Sequence, residues 1–166
     1  MLRNALLATL GFAACMGYGQ APVVGVADPE SLFVSKDPKL NANKQVVLHI
    51  VRDLLEAGHW KDATKYLTNE YIQHNPMVAS GLAPVMAFFS GRPERPIPKS
   101  NEWKTKVVSV LAEDDLVIVA TARTLPRPDG DGTYTTTWFD MWRIKDGKAD
   151  EHWDGAELPK PKSVLR

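Results

Sequence analysis

The sequence predicts an α+β domain, and three observations carry that prediction. Apolar residues recur at three- and four-residue spacing through the first half of the chain. From residue 102 onward the period becomes two. The two regimes also come in separate blocks, helices first and an antiparallel meander afterwards, rather than in the alternation of a parallel sheet. A chain of 166 residues is long enough for one domain with a proper core.

The first two dozen residues stand apart. Arg3 is the only charge before Asp28, and the apolar "ALLATLGFAACMG" follows it. A positive start, a brief apolar run and a small-residue exit mark a secretory signal, taken here as 1–21. The run is too short to span a bilayer comfortably. Cys15, the sole cysteine, lies inside it, so the fold needs no disulfide. Two readings of Cys15 stand. In one it leaves with the signal; in the other "FAAC" is a lipoprotein box and Cys15 becomes the acylated first residue. An exported protein, periplasmic or secreted, is expected, with membrane attachment only where Cys15 is lipidated. Residues 22–40 carry three prolines and no sustained period, and read as a linker. The domain then spans 41–159, with a C-terminal tail at 160–166.

Within the domain, Val46, Val47, Ile50, Val51, Leu54 and Leu55 build an amphipathic helix that Gly58 stops. "HWKDATKYL" (59–67) is a second, shorter one. "NEYIQHNP" reads as an extended segment ended by Pro76. "GLAPVMAFFSG" gives a third helix, with Pro84 tolerated in its first turn. Strands follow in "EWKTKVVSVLAEDD" and "LVIVATARTL", then in "TYTTTWFDMWRI", and a tight "KDG" turn leads into "KADEHWDGAEL".

Twenty basic and 20 acidic residues cancel, which argues against a nucleic-acid partner. The four histidines are scattered and none lies four residues from another, so no metal signature is visible; a Gly-rich phosphate loop and a nucleophile elbow are also missing from the sequence. Alternation along the third strand puts Thr136, Trp138, Asp140, Trp142 and Ile144 on one face and Thr137, Phe139, Met141 and Arg143 on the other. A carboxylate between two tryptophans is costly to bury unless paired or protonated, and such a setting suits a general acid or base. The other reading of Asp140 is a solvated strand edge, or a partner for Arg143 or another cation. On the last strand Asp150, His152 and Asp154 share one face and Glu151 and Trp153 the other. The "KDG" turn would set His152 across from or diagonal to Asp140, where a His–Asp couple fixes the imidazole tautomer. The alternative is an exposed surface pair. His74, in "HNP", is either a turn residue or part of the same site.

The order of "YLTNEYIQHNP", "GLAPVMAFF", "DDLVIVATAR" and "WFDMWRIKDGKADEHWDGAELP" resembles the SnoaL-like polyketide cyclases, and within them the predicted aldol-condensation branch. The resemblance covers roughly residues 41 to 159. It implies the cone-shaped fold shared with ketosteroid isomerase and nuclear transport factor: a strongly curved antiparallel sheet wrapped around three N-terminal helices, with an internal pocket. It implies acid/base catalysis of an aldol step without metal or cofactor, and a homodimer formed through the open sheet face, with Phe139 and Met141 pointing that way. Carried over residue by residue, Asp140 matches the acid, His152 and Asp154 match the "EHWD" run, and His74 matches the "QHNP" histidine. Three departures stand out: Ala149-Asp150 where the family has an apolar pair, Gly155 where it has an apolar residue, and the export signal.

Two functions follow. One is a lyase, cyclase or isomerase working next to a carbonyl without a cofactor, with Tyr71, Trp138, Trp142 and Trp153 as walls for a small apolar or carbonyl-containing molecule. The other is an exported binder of a small apolar ligand that turns nothing over. A dimerisation module without a ligand is a third, weaker reading. The environment of Asp140 and His152 discriminates among them.

Overall fold

The structure, a computed structural model, describes residues 19–159. Residues 1–18, with Arg3, Cys15 and the apolar run of the expected signal, lie outside that range, as does the tail at 160–166.

Residues 22–40 are not a free tether. The Val26 amide donates to the Val107 carbonyl at 2.8 Å. Pro29–Phe33 then forms a 3-10 turn whose Phe33 is fully buried, tilted against Trp103. Prolines break the period here, yet Pro29 sits where a missing N–H costs nothing, and the turn it starts delivers an aromatic ring to the core. Helix α1 spans Pro38–His49, beginning before the apolar period does. The Asp37 carboxylate caps it by accepting from the Leu40 amide at 2.9 Å, and Pro38 occupies its first turn.

Helix α1 runs on as a π-helical turn, Ile50–Glu56, and its inner side presents Val47, Val51 and Leu54 to the core. Gly58 ends it with φ +80°, and a Cβ there would meet the Pro93 carbonyl oxygen at 2.7 Å, so both backbone and space demand glycine. The second expected helix is a 3-10 segment, Trp60–Lys65. Trp60 stacks on Phe89 of the third, α2 (Leu82–Phe89), with ring centroids 4.0 Å apart.

Five strands follow the expected segments: β1 (Leu67–Gln73), β2 (Lys106–Glu113), β3 (Leu116–Pro126), β4 (Thr133–Lys145) and β5 (Lys148–Asp154). Their order is β1-β5-β4-β3-β2, in a curved sheet that does not close. β2 to β5 form the antiparallel meander, but β1 pairs with β5 in parallel, a correction to the all-antiparallel expectation. The reason is connectivity. α2 and the proline-rich link separate β1 from the meander, so no hairpin dictates its direction and it adds to the free edge of β5. A bulge in β5 is a second correction. Arg143 pairs with Glu151 and Ile144 with Ala149, which leaves Asp150 out of the alternation. Asp150 accepts from the Thr68 hydroxyl at 2.7 Å instead of sharing the face of His152. The core lies between the helices and the concave side of the sheet, where Val47 and Leu54 meet Val117, Val119 and Trp142.

Candidate active site

β4 and β5 bring the acid and the imidazole together as their registers require. Asp140 pairs across the ladder with Asp154, and Trp142 with His152. His152 is therefore diagonal to Asp140, and its Nε2 lies 3.3 Å from Asp140 Oδ1. The Trp138 indole N–H donates to the same oxygen at 3.2 Å. The side chain of His152 is only 9% exposed and that of Asp140 22%. Arg143 is on the opposite face, paired with Asp115 at 2.8 Å and Glu151 at 3.1 Å, so it does not serve Asp140.

The hydrogen bonds fix the imidazole tautomer. His152 Nδ1 is 2.8 Å from Gln73 Oε1. That oxygen also accepts from the Asn75 backbone N–H at 3.0 Å, a group that can only donate. The Gln73 amide thus cannot be flipped, and Nδ1 must carry its proton toward it. Nε2 then faces a carboxylate oxygen, and the two attract only when a proton lies between them. The Asn75 side chain is fixed in the same way. Its Oδ1 accepts from the Met77 amide at 2.9 Å, so its Nδ2 donates to Asp154 Oδ2 at 2.8 Å. The second Asp154 oxygen accepts from the Ala156 amide at 2.9 Å.

"QHNP" and "EHWD" do meet, His152 and Asp154 bonding Gln73 and Asn75 rather than the His74 side chain. The His74 amide donates to the His152 carbonyl at 3.0 Å, but the His74 side chain turns outward. It is 44% exposed, bonds Glu151 Oε1 at 2.8 Å and stacks on Trp153 with centroids 5.0 Å apart. His74 and Trp153 are therefore on the convex face, against the expectation that they join Asp140. The hydrogen bond from His74, with help from Arg143, holds the Glu151 carboxyl below its ordinary range despite partial burial.

The concave side encloses a cavity of about 520 Å³. Asp140, His152, Asp154, Tyr71, Trp138 and Trp142 all line it. The Trp142 indole N–H donates to the Tyr71 hydroxyl at 3.1 Å, so that oxygen is oriented as an acceptor and its own O–H is left to donate. Among the described residues none accepts that proton. Burial, reinforced by the Asp140 and Asp154 charges and only partly offset by the Trp142 bond, pushes the Tyr71 phenol well above its ordinary value. Gln73 and Asn75, which sequence reading passed over, line the cavity too. Parity would have found them, because they lie two and four residues from Tyr71 in an extended segment, whereas His74 lies three away.

Asp140, His152 and Asp154 each offer an atom within 4.8 Å of the others, a spacing that could also hold a cation. No histidine or acid spacing in the sequence announced it, because the first member sits on a different strand from the other two.

Solved structures are similar to this chain in fold. A TM-score of 0.51 over 72% of this chain and 81% of the other relates it to an LEH-like epoxide hydrolase of M. tuberculosis, at 13% identity. A Bacillus cereus protein assigned as a polyketide cyclase gives 0.50 at 16% identity, covering 84% of this chain and 87% of its own. A Jannaschia protein assigned as a SnoaL-like polyketide cyclase gives 0.48 at 19% identity over 73% and 90%. No curated protein sequence matches. At these identities the likeness establishes a fold, the nuclear transport factor-like α+β architecture. The SnoaL-like domain profile matches residues 48–152, more than half of the chain, and so the protein belongs to the SnoaL-like domain family, whose fold is shared by cyclases, isomerases and epoxide hydrolases.

Proposed function

We propose that this protein is an acid/base enzyme that removes a proton next to a carbonyl using its own side chains, as an aldol-type lyase or cyclase or as an isomerase. The observation that carries the reading is the one-proton couple of His152 and Asp140 on the wall of a cavity, beside a tyrosine with an uncommitted O–H.

Both ring nitrogens of His152 are engaged, Nδ1 by Gln73 and Nε2 by Asp140. The atom left to meet a substrate is the second oxygen of Asp140, since Oδ1 receives both Trp138 and His152. Asp140 is then the base and His152 a positioning residue that supplies its counter-charge. In the forward step Asp140 Oδ2 takes the proton from the carbon beside the carbonyl. The electron pair moves onto the carbonyl oxygen, which accepts the Tyr71 O–H bond as it becomes an enolate. This division of labour between base and oxyanion donor is the one the ketosteroid isomerase case illustrates. The proton on Asp140 returns either to another carbon of the same substrate, an isomerisation, or to the alkoxide formed when the enolate carbon attacks a second carbonyl, an aldol step.

The test is a long-range ¹H–¹⁵N spectrum of the histidine rings in the wild type and in Asp140→Asn. The reading expects Nδ1 of His152 protonated in both and Nε2 responding strongly to the substitution, with His49 unchanged. An Nε2 signal indifferent to Asp140 sinks the couple and leaves the cavity as a site that binds without turnover.

A further inference from the structure

The charges lining the cavity are sorted by depth. Those that are buried or half-buried are Asp140, His152 and Asp154. Those that are exposed are all cations: Arg92 after α2, Lys104 just before β2 and Arg123 on β3 at the opening, and Lys106 at the start of β2. Among the described residues none of these four is in an ion pair. The whole chain has no formal net charge, so the excess is local to this opening. A concave wall of low dielectric focuses such a field onto whatever enters.

Arg123 is the best placed of them. Its guanidinium lies 3.4 Å from the centroid of the Trp138 ring, the same ring whose N–H bonds Asp140. Stacking uses the flat face of the guanidinium and leaves its edge of N–H donors for a planar or tetrahedral anion. A single indole therefore separates an anion-binding edge from the proposed base. Lys104, just before the neighbouring strand, also lines the cavity, whereas Lys106 pairs with Ala122, alternates to the other face from Arg123 and donates to the Trp103 carbonyl at 3.3 Å.

We infer that the substrate carries an anionic group, a carboxylate or a phosphate, which the Arg123–Lys104 opening holds while the rest of the molecule reaches inward toward Tyr71 and Asp140. The inward half rests on the acid/base reading above; the anion half does not. The resting site is complementary at both ends, since an anion deep in the cavity would face Asp140 and Asp154 and be repelled.

The experiment uses the fluorescent neutral ligand N-phenyl-1-naphthylamine in the cavity and measures its displacement by three competitors sharing a naphthyl body: methyl 2-naphthoate, 2-naphthoate and 2-naphthyl phosphate. At least one anion should compete about tenfold better than the neutral ester, the size of one charged hydrogen bond, and which anion is better tells carboxylate from phosphate. Arg123→Gln and Lys104→Gln should lose that preference while still binding the neutral probe, which shows that they fold. Lys36→Gln, an exposed cation that does not line the cavity, should keep it. Equal competition by ester and anions in the wild type overturns the inference, and so does an equal loss in Lys36→Gln. The anion preference should persist in Asp140→Asn, so a failed proton-transfer reading and a failed anion site give different results.

Discussion

At the scale of residues, the site is a chain of side chains each of which leaves the next only one role. The Asn75 backbone N–H fixes Gln73, Gln73 fixes the His152 tautomer, and His152 leaves one oxygen of Asp140 to work. Asp140→Asn should lower kcat by about 10²- to 10⁴-fold, the usual worth of a positioned acid/base group, with little change in melting temperature. A variant with unchanged turnover would remove Asp140 from the mechanism. Gln73→Leu acts one step back. It should cost roughly 10- to 100-fold, as loss of an orienting partner does, while Gln73→Glu, which keeps two acceptor oxygens for Nδ1–H and the Asn75 amide, should restore the Nδ1-protonated tautomer in the histidine spectrum. If Gln73→Leu leaves the tautomer intact, Gln73 is only a wall. Parity explains what could be read beforehand. Asp140, Trp138 and Trp142 were legible because β4 is long and regular. His74 carries the motif match, but its odd spacing from Tyr71 turns its side chain to the other face. The roles of Gln73 and Asn75 were hidden because an amide announces nothing until its partners are known.

At the scale of elements, the helices and strands were legible where a period ran long enough, and their ends were not. The π-helical turn Ile50–Glu56 keeps apolar residues on one side much as an α-helix does, so the sequence pattern gives no warning of it. The bulge at Asp150 is invisible for a related reason, since the alternation on either side of it is intact. The stretch before α1 is the largest difference. Three prolines spoke for a linker, whereas Phe33 is a core residue. Phe33→Ala should therefore cost about 3–5 kcal/mol in urea denaturation, as buried aromatic truncations do; a loss near zero would return this segment to the status of a tether. Gly58 is the other element-level test. Gly58→Ala forces a Cβ against the Pro93 carbonyl at a positive φ and should destabilise by about 1–3 kcal/mol. Because Gly58 lies at the end of the helix that backs the cavity, the same measurement on ligand affinity shows whether the strain reaches the site.

At the scale of the whole molecule, the cavity was foreseeable only through the family, because no local pattern says how far a sheet will curve. Acid stability, by contrast, can be argued from one cluster at the centre of the helical layer. Asp53 is nearly fully buried. It accepts from Arg52 Nε at 2.7 Å, lies 2.8 Å from His49 Nδ1, and is approached by the Tyr66 hydroxyl at 3.3 Å. Burial alone would push its carboxyl up, but the hydrogen bonds and charges of Arg52 and His49 outweigh it and hold it below the ordinary value of 3.8. A carboxyl whose folded value is depressed contributes stability that is fully present above the unfolded value. That contribution drains away as pH falls through the folded one, because between the two the unfolded chain binds the extra proton. The stability of the protein should thus be level with respect to Asp53 above about pH 4 and fall steeply below it. Asp115 and Glu151 are depressed as well, but they lie on the solvated convex side, where screening makes such pairs worth little. Asp53→Asn should lower the neutral-pH urea midpoint, since it leaves Arg52 with only the half-exposed Glu30 at 3.5 Å, and should flatten the acid limb below about pH 4 by up to one proton. An acid limb as steep in the variant as in the wild type would mean that another carboxylate controls acid unfolding, and that the Arg52–Asp53–His49 cluster is arranged for something other than stability.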